Sequence, residues 1–167
     1  RCLSETEARG LYICAQASGR RVNVFMDRSQ LMQSLSFDDV TGGKNVVLKG
    51  ISSVALSKDA PDSDSLLLVA SFGGIIAMWR LDAINLAKMG QAPKYGRWRL
   101  EGTLPLRGQL VSSLSVRQGL LATGSNQCGS GWKRGTYANA AWKLVWSTRT
   151  PRPLLRVQWS HDGQFLA

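Results

Sequence analysis

Three stretches of the chain share one order of apolar and polar positions. They are LYICAQASGRRVNVF (Leu11 to Phe25), LLLVASFGGIIAMW (Leu66 to Trp79) and GLLATGSNQCGSGW (Gly119 to Trp132). Each passes from an apolar triplet or quartet to an alanine, then to a small polar residue, a glycine-bearing turn and an aromatic. The aromatic follows the alanine by nine or ten residues: Ala15 to Phe25, Ala70 to Trp79, Ala122 to Trp132. Strand-like runs precede the later copies: ISSVALS (Ile51 to Ser57), LVSSLSV (Leu110 to Val116) and LLRVQWS (Leu154 to Ser160), starting 59 and 44 residues apart. Others follow the aromatics: LMQSLSF (Leu31 to Phe37), RWRLEGTLPL (Arg97 to Leu106) and WKLVWST (Trp142 to Thr148). Period-two alternation predicts half-buried strands. Ser160-His161-Asp162-Gly163 predicts the turn into a fourth copy that begins at Gln164-Phe165-Leu166-Ala167. Only Leu81 to Met89 predicts a brief helix, within a loop.

Four short strands repeated at about 40–50 residues predict an all-β architecture built of β-propeller blades. One blade cannot bury both faces of its sheet, so the unit needs stacked neighbours. Continuous apolar runs such as Leu66 to Ala70 are then strands covered on both faces. The alanines mark close approach, and the third-strand aromatic is expected to fill the gap to the next blade. The strand count predicts an incomplete first blade over residues 1–50, a second over 51–109, a third over 110–153 and the start of a fourth over 154–167. The chain is thus expected to be a partial propeller, about three blades of a larger one.

Composition fits this reading. A hydrophobic content of 44% with 17 Gly and 6 Trp describes a turn-rich globular chain. No secretory leader is visible, and the longest apolar run, Leu66 to Trp79, is too short to span a bilayer, so the chain reads as soluble. Cys2, Cys14 and Cys128 form no CxxC pair, which argues against a disulfide framework; Cys14, inside an apolar run, predicts a buried thiol, and a reducing compartment is expected. Net charge is +10, and it is lopsided. Residues 1–93 carry ten Lys/Arg against nine Asp/Glu, whereas residues 94–167 carry eleven against only Glu101 and Asp162. Arg97, Arg99, Arg107, Lys133, Arg134, Arg149 and Arg152 are therefore the candidate basic interaction surface.

Catalytic patterns fail on spacing. Ser160, His161 and Asp162 are adjacent, and neighbours in sequence cannot adopt a relay that brings nucleophile and base together across a fold. One histidine and scattered cysteines are too few for a zinc site. TGGKN (Thr41 to Asn45) and GSNQCGSG (Gly124 to Gly131) lack the phosphate-loop spacing. Asp38-Asp39 and Asp59, Asp62 and Asp64 fall in polar loops and read as solvated turn residues. Arg97-Trp98-Arg99 and Trp132-Lys133-Arg134 interleave aromatics with cations, a pattern that can stack bases. Alternation on a strand gives the same pattern to a buried aromatic beneath a solvated edge.

The phrase WSHDGQFLA (Trp159 to Ala167) resembles the strand-turn-strand of WD repeats. The Trp-Asp dipeptide is replaced by Trp79-Arg80 and Trp132-Lys133, and no Gly-His precedes a blade, so the usual His–Asp–Ser network is absent. The chain is also similar to the amino-terminal propeller of the large subunit of the RAVE complex, the DmX-like or rabconnectin family. The likeness runs through Leu11 to Phe37, Pro93-Lys94-Tyr95, LLATGSN (Leu120 to Asn126) with Trp132-Lys133, and Trp146 to Leu166. It implies a WD-repeat-like propeller acting as a scaffold rather than an enzyme, without a cofactor. It further implies V-ATPase and RAVE subunits as partners and a cytoplasmic place at vacuolar or endosomal membranes. A different expectation, from charge alone, is binding of RNA or anionic membrane lipid through the basic second half.

Overall fold

The computed structural model describes residues 3–8, 11–27, 30–41, 50–59, 63, 65–72, 74–82, 97–106, 109–135, 141–160, 162–164 and 166–167. They form three four-stranded antiparallel sheets. The first holds β1 (Leu3–Ala8), β2 (Leu11–Ser18), β3 (Arg21–Met26) and β4 (Gln30–Ser36) in that order. The second holds β5 (Ser53–Lys58), β6 (Leu66–Phe72), β7 (Ile75–Leu81) and β8 (Arg99–Pro105). The third holds β9 (Val111–Arg117), β10 (Leu120–Ser125), β11 (Cys128–Arg134) and β12 (Trp142–Arg149). The first strands lie side by side, β1 against β5 and β5 against β9, so the sheets radiate from them as blades.

Two apolar seams hold the blades together. Ile13, Val22, Val24 and Leu35 of the first sheet meet Leu66, Leu68, Phe72 and Trp79 of the second. Leu67, Val69, Ile76 and Met78 on the opposite face of the second sheet meet Val111, Leu114, Val116 and Leu121 of the third. All seven residues of β6 are buried, because its odd and even positions serve different seams. Leu66, Leu67, Leu68 and Phe72 have no exposed surface. At about 1.5–3 kcal/mol for each such side chain, this strand alone contributes on the order of 10 kcal/mol of burial.

The aromatics point the other way from the sequence expectation. Trp79 belongs to the seam with the first sheet and Trp132 packs against the seam with the second, so each faces the preceding blade. Parity decides this, since Trp79 stands opposite Leu68 and Trp132 opposite Leu121 in the strand register. Each outer strand also carries one extra residue beside that aromatic, with breaks at Val24/Phe25, Met78/Trp79 and Gly131/Trp132. The bulged residues are Met32, Glu101 and Val145. Bulges increase local twist and re-aim side chains.

The first blade, expected to be incomplete, has four strands. Its inner strand LSETEA has no apolar run: Ser4 and Thr6 are half-buried while Leu3, Glu5 and Glu7 face solvent. β4 ends at Ser36, and Phe37–Thr41 forms a single helical turn, α1, instead of extending the strand. Ser36 Oγ accepts the Asp38 amide at 3.2 Å, an N-cap bond, and Phe37 stacks on Phe72 with centroids 4.8 Å apart. A two-residue hairpin joins β9 to β10, where Gln118 and Gly119 both take positive φ (48° and 75°), the geometry of a type I′ turn. The fourth blade is present as one antiparallel bridge, Trp159 to Leu166, closed by reciprocal Gln158 and Ala167 backbone bonds. No helix among the described residues is long and apolar enough to cross a membrane. Cys2, Asp62, Asp64, the segment 83–89, Pro93-Lys94-Tyr95, Arg107, His161 and the Thr41–Asn45 connector past Thr41 lie outside the described residues.

Candidate interaction surface

Polar contacts between blades follow two patterns. Near the centre, serine hydroxyls on one inner strand accept amides from the next. Ser4 Oγ takes the Leu56 N–H at 2.9 Å, and Ser53 Oγ takes the Leu114 N–H at 3.0 Å. Ser113 and Ser115 take Val157 and Trp159, both at 3.0 Å. An inner strand is paired on one side only, and these hydroxyls satisfy amides on its other side. The same lattice thus holds residues 154–160 in the place of a fourth inner strand. Ser160 Oγ bonds Asp162 at 2.5 Å and the Gln164 amide reaches Asp162 at 3.1 Å, which is turn chemistry.

Farther out, the seam between the second and third blades is closed by charges. The Arg134 guanidinium bridges Asp59 and Glu101. Arg80 lies 3.4 Å from Asp59 and 3.1 Å from Asp82, and Asp82 also pairs with Arg99. Arg134 and Asp59 side chains are each 8% exposed. Two expectations are therefore corrected: Arg134 is not part of an exposed basic surface, and Asp59 is not a solvated turn residue. Trp132 and Arg134 share the face toward the second blade and only Lys133 points out, because residues two apart on a strand lie on one side. Burial pushes the Glu101 carboxyl above its usual range; Arg134 and Arg80 pull it back and Asp59 adds to the rise. The bulge at Glu101 turns this carboxylate into the seam.

The remaining candidates do not gather into one patch. Arg97 and Arg99 flank Trp98 at the entry to β8; both are exposed while Trp98 is 4% exposed, and Arg99 is neutralised by Asp82. Lys133, Arg149 and Arg152 are exposed on and just after the third sheet. Register reveals a residue that sequence reasoning missed: Lys143 stands directly opposite Lys133 across β11 and β12. No short motif could have shown it, because the pairing depends on a loop whose length hides the register. Two cavities lie among the described residues. One of about 430 Å³ opens where the inner strands end, lined by Glu5, Glu7, Ser57, Lys58, Arg117 and Gln118 among others. The other, about 330 Å³, lies between β8 and the start of β12, against Met78, Glu101, Leu104 and Trp142. Neither joins a nucleophile to a base, and no metal-ligating cluster occurs among the described residues.

No family model matches the chain, and no curated protein does. Solved structures do: a chain in the crystal structure of a mitotic checkpoint complex superposes with a TM-score of 0.62 at 18% identity, over the whole of this chain. The chain spans 42% of the length of that neighbour. With three radial four-stranded sheets, this likeness defines the fold as all-β, a partial WD-repeat-like β-propeller. At such identity it carries fold alone.

Proposed function

We propose that the chain is part of a non-catalytic protein-interaction scaffold, a RAVE-type large subunit that promotes assembly of the vacuolar or endosomal V-type proton ATPase. It acts from the cytoplasmic side of those membranes, with V-ATPase and RAVE subunits as partners. The observation that carries the scaffold reading is where the polar groups stand. Serines, Asp59, Glu101 and Arg134 are engaged between blades, whereas Lys133, Lys143, Arg149 and Arg152 face solvent. The solved neighbour belongs to a complex, which supports protein partners in general. The V-ATPase part is supported by the order and spacing of LLATGSN, Trp132-Lys133 and Trp146 to Leu166.

The test is retention of purified V-ATPase catalytic-sector subunits by the immobilised full chain, followed by recovery of ATPase activity when membrane sector is added. Retention that persists at raised salt is the expected result. Failure to retain them, or a hydrolase activity abolished by His161→Ala, overturns it. Binding of RNA or anionic lipid has less in its favour. Trp98 and Trp142, which neighbour the cations Arg97, Arg99 and Lys143, are buried and offer no face to a base.

A further inference from the structure

We propose that the outer edge of β12 docks an extended acidic segment of a partner protein, about eight residues long, which adds to the third sheet as a further strand. The proposal rests on the scaffold reading and names the chemistry of one partner. Strand β12 has β11 on one side and no strand on the other among the described residues. Lys143, Leu144, Val145, Ser147, Thr148 and Arg149 are all exposed along it.

Charge sets the partner's sign. Lys133 and Lys143 face each other directly, an arrangement that destabilises a sheet unless an anion sits between them. No carboxylate pairs with Lys133, Lys143, Arg149 or Arg152 among the described residues, and the sequence has no Asp or Glu between Glu101 and Asp162. The other outer edges are different. β4 carries no charge, and its Gln33 already accepts the Trp98 amide at 2.8 Å. On β8, Arg99 is paired, Glu101 is turned into the seam, and the strand ends at Pro105.

Spacing sets the partner's pattern. Lys143 and Arg149 stand opposite Lys133 and Cys128, five residues apart on β11, which separates them by roughly 17 Å at about 3.3 Å per residue. Leu144 and Val145 lie between them at 52% and 61% exposure. The segment that fits has carboxylates near both ends and an apolar residue between. A peptide is favoured over a nucleic acid because the edge offers backbone N–H and C=O groups and aliphatic side chains, while Trp142 is buried.

The probe is a fluorescein-labelled extended peptide with glutamates at each end and a Val-Thr core, titrated against the full chain by anisotropy. Oligouridine and phosphatidylserine vesicles serve as competing anions. The expected result is peptide binding that slows amide exchange across Trp142–Arg149 and weakens about tenfold or more in Lys143→Glu/Arg149→Glu. Arg97→Glu should leave it unchanged. If the charge-reversed protein loses its thermal transition, Lys143→Gln/Arg149→Gln replaces it. Tighter binding of oligouridine or vesicles, binding without slowed exchange, or indifference to both double variants overturns the proposal. Loss of peptide binding with V-ATPase subunits still retained removes this docking site and leaves the scaffold reading standing; the reverse outcome removes the V-ATPase assignment alone.

Discussion

Replacing Arg134 with methionine removes the one cation among the described residues that touches both Asp59 and Glu101, while keeping most of the side-chain volume. Asp59 is 8% exposed and would be left with Arg80 at 3.4 Å, and Glu101 would lose its only direct ion pair among the described residues. Stranding buried charge in this way costs about 3–5 kcal/mol. In a chain of this size that lowers Tm by roughly 6–20 °C. The loss depends on pH in a set direction. Burial already holds the Glu101 carboxyl above its ordinary value of 4.5, and Arg134 pulls it down, so the variant raises it further. Between the unfolded and folded pKa values the folded state holds a proton that the unfolded state has released. Stability of the variant therefore falls as pH rises through that window, and is recovered below it. Urea unfolding at several pH values, with unchanged m, is the assay. A variant within about 0.5 kcal/mol of the parent at neutral pH, or one whose deficit grows on acidification toward 4.5, refutes the reasoning.

Other consequences follow from named contacts. Gly131→Ala places a methyl inside the Trp146 indole, so it should destabilise by about 1–3 kcal/mol and red-shift tryptophan emission as the ring is displaced. Ser113→Ala leaves the Val157 amide without its acceptor; a cost of about 1–3 kcal/mol and faster exchange at that amide are expected by hydrogen-exchange NMR. Leu68→Ala should cost about 2–5 kcal/mol in chemical denaturation, whereas Leu155→Ala, at 81% exposure, should stay within about 0.5.

What the sequence disclosed depended on whether a strand is covered on both faces. β6 and β10 declare themselves as apolar runs, and the recurrence of alanine and aromatic placed all three later strand pairs. β1 stayed hidden because LSETEA sets the hydroxyl-bearing Ser4 and Thr6, not an apolar run, on its half-buried face. The basic surface was half legible. Composition pointed to Lys133, Arg149 and Arg152, but the fate of Arg134 is decided by Asp59, 75 residues earlier, and no local pattern reports such a meeting. Lys143 escaped because the bulge at Val145 shifts the pairing that brings it opposite Lys133. The direction of Trp79 was misjudged for the same reason: strand parity relative to a neighbouring sheet is set by register, which alternation alone leaves open.

The hydroxyl bonds between inner strands have a polarity: in all four of these serine–amide bonds among the described residues the serine lies earlier in the chain than the amide it satisfies, and Ser112, which donates to the Leu154 carbonyl instead, also precedes its partner. During synthesis from the amino terminus, each finished blade offers its serines before the strand that needs them has emerged. The described sheets thus engage in sequence like a zip, every tooth waiting for its successor. A serine removed from an early blade weakens the grip on what comes after it and leaves what came before untouched.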